Sequence, residues 1–284
     1  MCQSLYYSYL RLNHIKISFK ADEILKEYTV ELTENNVIST LMSHRSFRKY
    51  TNQKVTDEDL DIIIRSAQSA PSWVNGQHVS IITISDSDRR IKIAEFSGNQ
   101  KHIIDAPVFL VFCADFHRVK VACELEGKEF AASQNIDLLI VGASDVGISL
   151  ANAITAAESL GMGTVPIGGI RRKPLEIIEM LGLPEYVIPI SGLCIGYPGE
   201  HPDLKPRFPK ATIVHDEQYN ADVLDAVKEY NQIYSDNIHE RTNGLSNSNW
   251  SYRIADFYSE PFYKNNSYQD VRKMLQQQGI AIEG

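Results

Sequence analysis

Cysteine is scarce in this 284-residue chain: there are four, at positions 2, 113, 123 and 194, and no two of them have C-x-x-C spacing. Cys113 and Cys194 fall inside apolar, strand-like runs, the pattern of buried reduced thiols, and a cytosolic compartment is expected. Long apolar runs are missing too. Asp137, Asp145 and Glu158 interrupt the most hydrophobic region, so no membrane span is expected. Leu5 to Leu10, followed by Arg11, has neither a basic leader nor a small-residue cleavage site, and is read as no signal peptide. Positive charge is in deficit, with 28 Lys and Arg against 36 Asp and Glu and a net charge of -8. Neither nucleic acid nor an anionic membrane is then an expected partner, and any anion site has to be a local basic patch suited to a small ligand.

Several catalytic signatures are absent as well. No G-x-x-x-x-G-K-[ST] occurs. Gly161-Met162-Gly163-Thr164-Val165-Pro166 puts Pro where a dinucleotide fingerprint needs a small residue, and it follows a helix rather than a strand. Gly142-Ala143-Ser144-Asp145-Val146-Gly147 has its second Gly one position late for a nucleophile elbow and lies within a helix. The eight histidines never pair with Glu or Cys at metal-ligand spacing. With no nucleophile, base and orienter in view, the remaining chemistry is the kind that a bound cofactor carries.

Hydrophobic residues at 43% and charged residues at 23% describe an ordinary globular chain, large enough for a substantial core. Residues 1–30 have poor periodicity and read as an extension, residues 31–215 as a core, and residues 216–284 as a C-terminal helical excursion. Thr56-Asp57-Glu58-Asp59 opens a helix carrying Leu60, Ile63, Ile64 and Ala67, which Ala70 to Gln77 breaks. Val79 to Ile84 and Val108 to Ala114 read as strands buried on both faces, with a polar loop over Gly98 to His102 between them. From Glu129 to Leu160 helical spacing and small residues predict a central, largely buried helix. A strand (164–167), a helix (174–181) and a strand (187–197) follow. Pro202, Pro206 and Pro209 stiffen the run from Gly199 to Pro209. Residues 221–240 read as helix, Thr242 to Ser251 as a mobile loop, and Ser267 to Asp270 as the cap of a last helix that Gly279 ends. Helices of unequal length between strands predict an α+β fold with a mixed sheet.

The densest chemistry is His44-Arg45-Ser46-Phe47-Arg48, with two guanidiniums, an imidazole and a hydroxyl between amphipathic stretches, the first carrying Val37, Ile38, Leu41 and Met42. An Arg fork matches phosphate oxygens bidentately, so the cluster is a candidate anion site. Downstream come Gln100-Lys101-His102, Ile167-Gly168-Gly169-Ile170-Arg171 and Pro202-Asp203-Leu204-Lys205-Pro206-Arg207. In this order and spacing the four motifs resemble the nitroreductase family, in its branch of oxygen-insensitive NADPH nitroreductases and NADPH:flavin oxidoreductases. The resemblance spans about residues 35–284.

That resemblance implies a mainly antiparallel sheet between helix layers, an intertwined homodimer, and FMN held between the subunits. Carried across, His44, Arg45, Ser46, Lys205 and Arg207 would hold the FMN phosphate, whose charge of about -1.5 to -2 needs several charge-assisted donors. Arg48 would face the pyrimidine edge and ease reduction. Ser72, Gln77 and Gln100 would donate to the ring by side chain, and Gly168 and Gly169 by backbone. Arg241 would meet the NADPH phosphates, while Ser246 stands where the branch has a second basic residue, leaving NADPH and NADH both open. The implied reaction is a two-step hydride exchange from NADPH to flat acceptors: nitroaromatics, quinones or free flavin. A flavin-dependent dehalogenase, a flavin reductase feeding an oxygenase, and a flavin-binding protein without turnover remain alternatives.

Overall fold

A computed structural model describes residues 35–246, 248–259 and 268–280. The N-terminal extension and the cap expected at Ser267 lie outside them. In chain order the elements are α1 (Asn36–Met42), α2 (Asp57–Gln68), β1 (Val79–Thr83), α3 (Ser87–Phe96), α4 (His102–Asp105), β2 (Val108–Asp115), α5 (His117–Leu125) and α6 (Asp137–Ser159). Then come β3 (Gly163–Ile167), a 3-10 turn over Gly168–Arg171, α7 (Pro174–Leu181), β4 (Val187–Gly196), α8 (Lys210–Ile213), α9 (Leu224–Arg241), α10 (Trp250–Tyr258) and α11 (Val271–Gln277).

The four strands form one antiparallel sheet in the order β1-β2-β4-β3. Alternation along β2 builds two cores. Leu110, Phe112 and Ala114 face a layer that includes α2 and α6, whereas Phe109, Val111 and Cys113 face α3, α4 and α7. The sheet thus lies between helix layers, as the family resemblance implied. Pro189 in central β4 has no N–H for the ladder, and the register slips beside it, between Phe112 and Cys113. The displaced Ile190 carbonyl accepts from Arg171 Nη1, which ties the Gly168–Arg171 turn to the sheet.

Thr56 caps α2, its Oγ1 accepting from Asp59 N at 3.0 Å, and Ile63 and Ala67 are buried on the inner face. Thr56→Ala should cost about 1 kcal/mol, measured as a lower midpoint in urea with an unchanged slope. A midpoint equal to wild type would show that the cap contributes nothing.

Four expectations need correction. β1 is half-buried, not buried on both faces, because it is an edge strand paired only with β2. α6 buries one face only: Ile136, Ile140 and Ile148 are exposed. By length and composition α6 is also apolar enough to cross a bilayer, so its interrupting acids exclude less than expected; here Leu138, Val146, Ala153 and Ala157 pack it into the core. Finally, α10 begins inside the expected 242–251 loop, since Asn249 Oδ1 accepts from Tyr252 N at 2.8 Å and starts a helix there.

Candidate functional site

The 46–51 segment runs along the outer side of β3 and past the end of β4. Ser46 bridges Thr164, Phe47 N donates to Thr164 O at 2.9 Å, Thr51 N donates to Tyr197 O, and Gly199 N donates to Lys49 O. Glu200 locks the turn, its Oε1 accepting from Arg48 N at 2.7 Å and Lys49 N at 3.1 Å. No salt bridge joins that carboxylate to the Arg48 guanidinium.

Five basic side chains converge here. The Lys205 ammonium is pushed below its ordinary range by burial first and then by the cations of Arg48, Arg241, Arg207 and Arg253. Among the described residues none of these five, nor Arg45, makes a salt bridge. Arg207 Nη1 donates only to the backbone, at Lys205 O and Pro206 O, and Arg253 Nη1 to Tyr234 Oη. Like charges gathered without a salt-bridge partner among the described residues raise the local potential and suit a polyanion. Beside them lies a cavity of about 620 Å³, lined by Arg45, Phe47, Leu204, Glu240 and Arg241 among others.

The neighbouring predicted residues fall into two groups. His44 Nδ1 sits 2.7 Å from Glu158 Oε1, which also accepts from Thr164 Oγ1 at 2.8 Å, so the imidazole is oriented from α6. Gln100 and Gly169 adjoin: Gln100 Nε2 donates to Ser97 O at 2.7 Å, and a Cβ on Gly169 would lie 2.3 Å from that nitrogen. Arg48 reaches this region too, since burial and then the Arg48 charge lower the pKa of His102. Ser72 and Gln77 are elsewhere. They line a separate cleft with Ile64, Arg118, Asp145 and Ser149, sharing no lining residue with the Arg45–Arg241 cavity.

Sequence reasoning missed Arg253 and Glu200. Arg253 lies on α10, just past the expected 242–251 loop and outside every motif, and the Glu200 carboxylate acts on backbone N–H groups, which carry no residue-type signal. The thiols stand apart from the site: burial pushes Cys113 up to about 12 and Cys194 upward as well, so both stay protonated at neutral pH.

Two family models match in tandem, the nitroreductase family over residues 41–197 and the nitroreductase family C-terminal domain over 205–283. The chain belongs to the nitroreductase family. It is 46% identical over 252 residues to the FMN reductase [NAD(P)H] of Bacillus subtilis, covering 88% of this chain and 99% of that one. Among solved structures, B. megaterium NfrA2 superposes with a TM-score of 0.84 at 48% identity, covering 88% of this chain and all of that one. The NADPH:FMN oxidoreductase from Vibrio harveyi complexed with NAD+ gives a TM-score of 0.76 at 34% identity, with coverage of 88% and 100%.

Proposed function

We propose that this chain is a cytoplasmic, homodimeric, FMN-dependent NAD(P)H oxidoreductase that passes hydride equivalents to flat, electron-poor acceptors such as nitroaromatics, quinones or free flavin. The observation that carries the reading is the set of unpaired cations around Lys205, drawn from residues 48, 205, 207, 241 and 253. Its chemistry fits the phosphate of FMN, a dianion that would relieve the mutual repulsion. The family relatives named above support it.

FMN, when bound, supplies the ring that takes and gives up hydride. Lys205, Arg207, Arg45, Ser46 and His44 hold its phosphate, with His44 oriented by Glu158. Arg48, its turn fixed through Glu200, presents a positive charge where negative charge develops on reduction. Gln100, Gly168 and Gly169 contact the ring from the same chain, and Ser72 and Gln77, which line the other cleft, serve the ring of a second copy. Assembly of two copies is supported by apolar surface: Val37, Leu41 and Met42 on α1 and Ile140 on α6 are each more than half exposed. Arg241, in the 620 Å³ cavity beside Glu240, meets the dinucleotide phosphates. Residues 31–215 form the flavin-binding core and residues 216–284 the C-terminal excursion.

Anaerobic mixing of the FMN-loaded protein with NADPH should bleach the flavin absorbance, and a later nitroaromatic or quinone should restore it. An unchanged spectrum with FMN bound would reduce the protein to a flavin carrier. Reduced flavin leaving the protein would select the reductase that feeds an oxygenase. Arg241→Ala should raise KM for NADPH about tenfold, the size of one lost charge-assisted hydrogen bond, with kcat little changed.

A further inference from the structure

The loop that carries Ser72 and Gln77 has an unusual backbone. Val74 (φ 47°), Asn75 (φ 57°) and Gln77 (φ 52°) all lie in the left-handed region, and for β-branched Val74 that is a true outlier. Trp73 and Val74 are exposed, so burial of their side chains does not hold the strain. What holds it comes from below. Asp145, buried on α6 with 3% of its surface exposed, accepts from Trp73 N at 3.1 Å through Oδ1 and lies 2.7 Å from His78 Nδ1 through Oδ2. His78 is buried against Phe116, with ring centroids 4.8 Å apart, and a Cβ on Gly76 would sit only 2.1 Å from its Nε2. Ser72 Oγ then accepts from Gln77 N at 3.0 Å, closing the loop, and Arg118 Nη2 donates to Gln77 O at 2.7 Å.

We infer that Asp145 is a positioning residue: by gripping both ends of the strained 72–78 loop it holds Ser72 and Gln77 in the geometry that receives the flavin ring. The inference rests on the proposed FMN site. Asp145 lies at the base of the cleft that Ser72 and Gln77 line, almost wholly buried and with both oxygens bonded to the loop, so it acts through Ser72 and Gln77: a relaxed loop leaves α6 and the sheet intact while its two donors wander. Coupling of this kind has a signature in pairs of substitutions.

The test measures FMN affinity by quenching of flavin fluorescence, together with the reduction potential of the bound flavin. Asp145→Leu keeps the branched shape of the side chain, with bulkier methyl groups in place of the oxygens, and removes both bonds; it is expected to weaken FMN binding at least tenfold and to make the potential more negative. Asp145→Asn keeps an acceptor for Trp73 N and is expected to bind within threefold of wild type. Combined with Gln77→Ala, Asp145→Leu should bind no worse than Asp145→Leu alone; combined with Lys205→Ala, the two losses should multiply. Asp145→Leu binding FMN within twofold of wild type, or multiplying its loss with that of Gln77→Ala, would overturn the inference. A wild-type protein that fails to bind FMN would strike at the proposed function instead. Should Asp145→Leu fail to fold, Gly76→Ala provides the same reading, because its Cβ displaces His78 from the other side.

Discussion

Replacing Lys205 and Arg207 together by alanine is expected to yield a colourless protein whose FMN affinity has fallen about a hundredfold to ten-thousandfold. Each charge-assisted hydrogen bond to phosphate is worth about 1.5–3 kcal/mol, and about 1.4 kcal/mol is a factor of ten. The same change should not weaken the fold. In the free protein the Lys205 ammonium is disfavoured by burial and by four neighbouring guanidiniums. Its folded pKa lies below the unfolded value, so its charge opposes folding fully at every pH below the folded pKa, and that cost disappears as pH rises to the ordinary lysine value. Lys205→Met alone should therefore melt at or above the temperature of the FMN-free wild type while binding FMN far more weakly. A double variant that stays yellow, with a Kd within tenfold of wild type, would remove the cation cluster from the site.

That trade explains why the site was so legible in the amino-acid order. Unpaired cations are costly to gather, so a chain that brings Arg48, Lys205, Arg207 and Arg241 together uses residue types that stand out from an acidic background. A continuous apolar run bounded by polar turns made β2 readable, and β4 with its Pro189 register slip still reads as a strand because its apolar run survives the slip. α3 and α5 carry too few buried residues for a periodic signal: α3 buries Ile93 and Ala94, and α5 buries none. The support of the 72–78 loop was illegible for another reason. Asp145 lies 67 residues from His78, inside a run read as small-residue helix packing, and only the fold brings the carboxylate under the loop. The separation of Ser72 and Gln77 from the cation cluster was likewise invisible, because no local pattern says which distant residues the fold gathers into one cleft.

Gly169→Val is expected to lower the melting temperature by about 6 °C or more and to abolish flavin binding. Gly168 and Gly169 look interchangeable in sequence, yet their surroundings differ. A Cβ on Gly168 would meet the Arg171 guanidinium at 3.4 Å, an ordinary contact with a flexible side chain. On Gly169 it would fall 2.3 Å from Gln100 Nε2 and 2.5 Å from Ser97 O. Gln100 can swing aside; the Ser97 carbonyl cannot, because Ser97 is fully buried at the end of α3. Nor can the turn retreat easily, with Arg171 bonded to Ile190 O and Arg172 N donating to Gly169 O at 2.9 Å. Overpacking against fixed backbone costs about 1–3 kcal/mol, and the two further methyl groups of valine put this site at the upper end. At roughly 2–4 °C per kcal/mol for a chain of this size, that gives the expected shift. Gly168→Ala should melt within about 2 °C of wild type. Equal melting temperatures for Gly169→Val and wild type would mean that α3 and the turn are not packed as described, and with that the joint placement of Gln100 beside the glycines would fall.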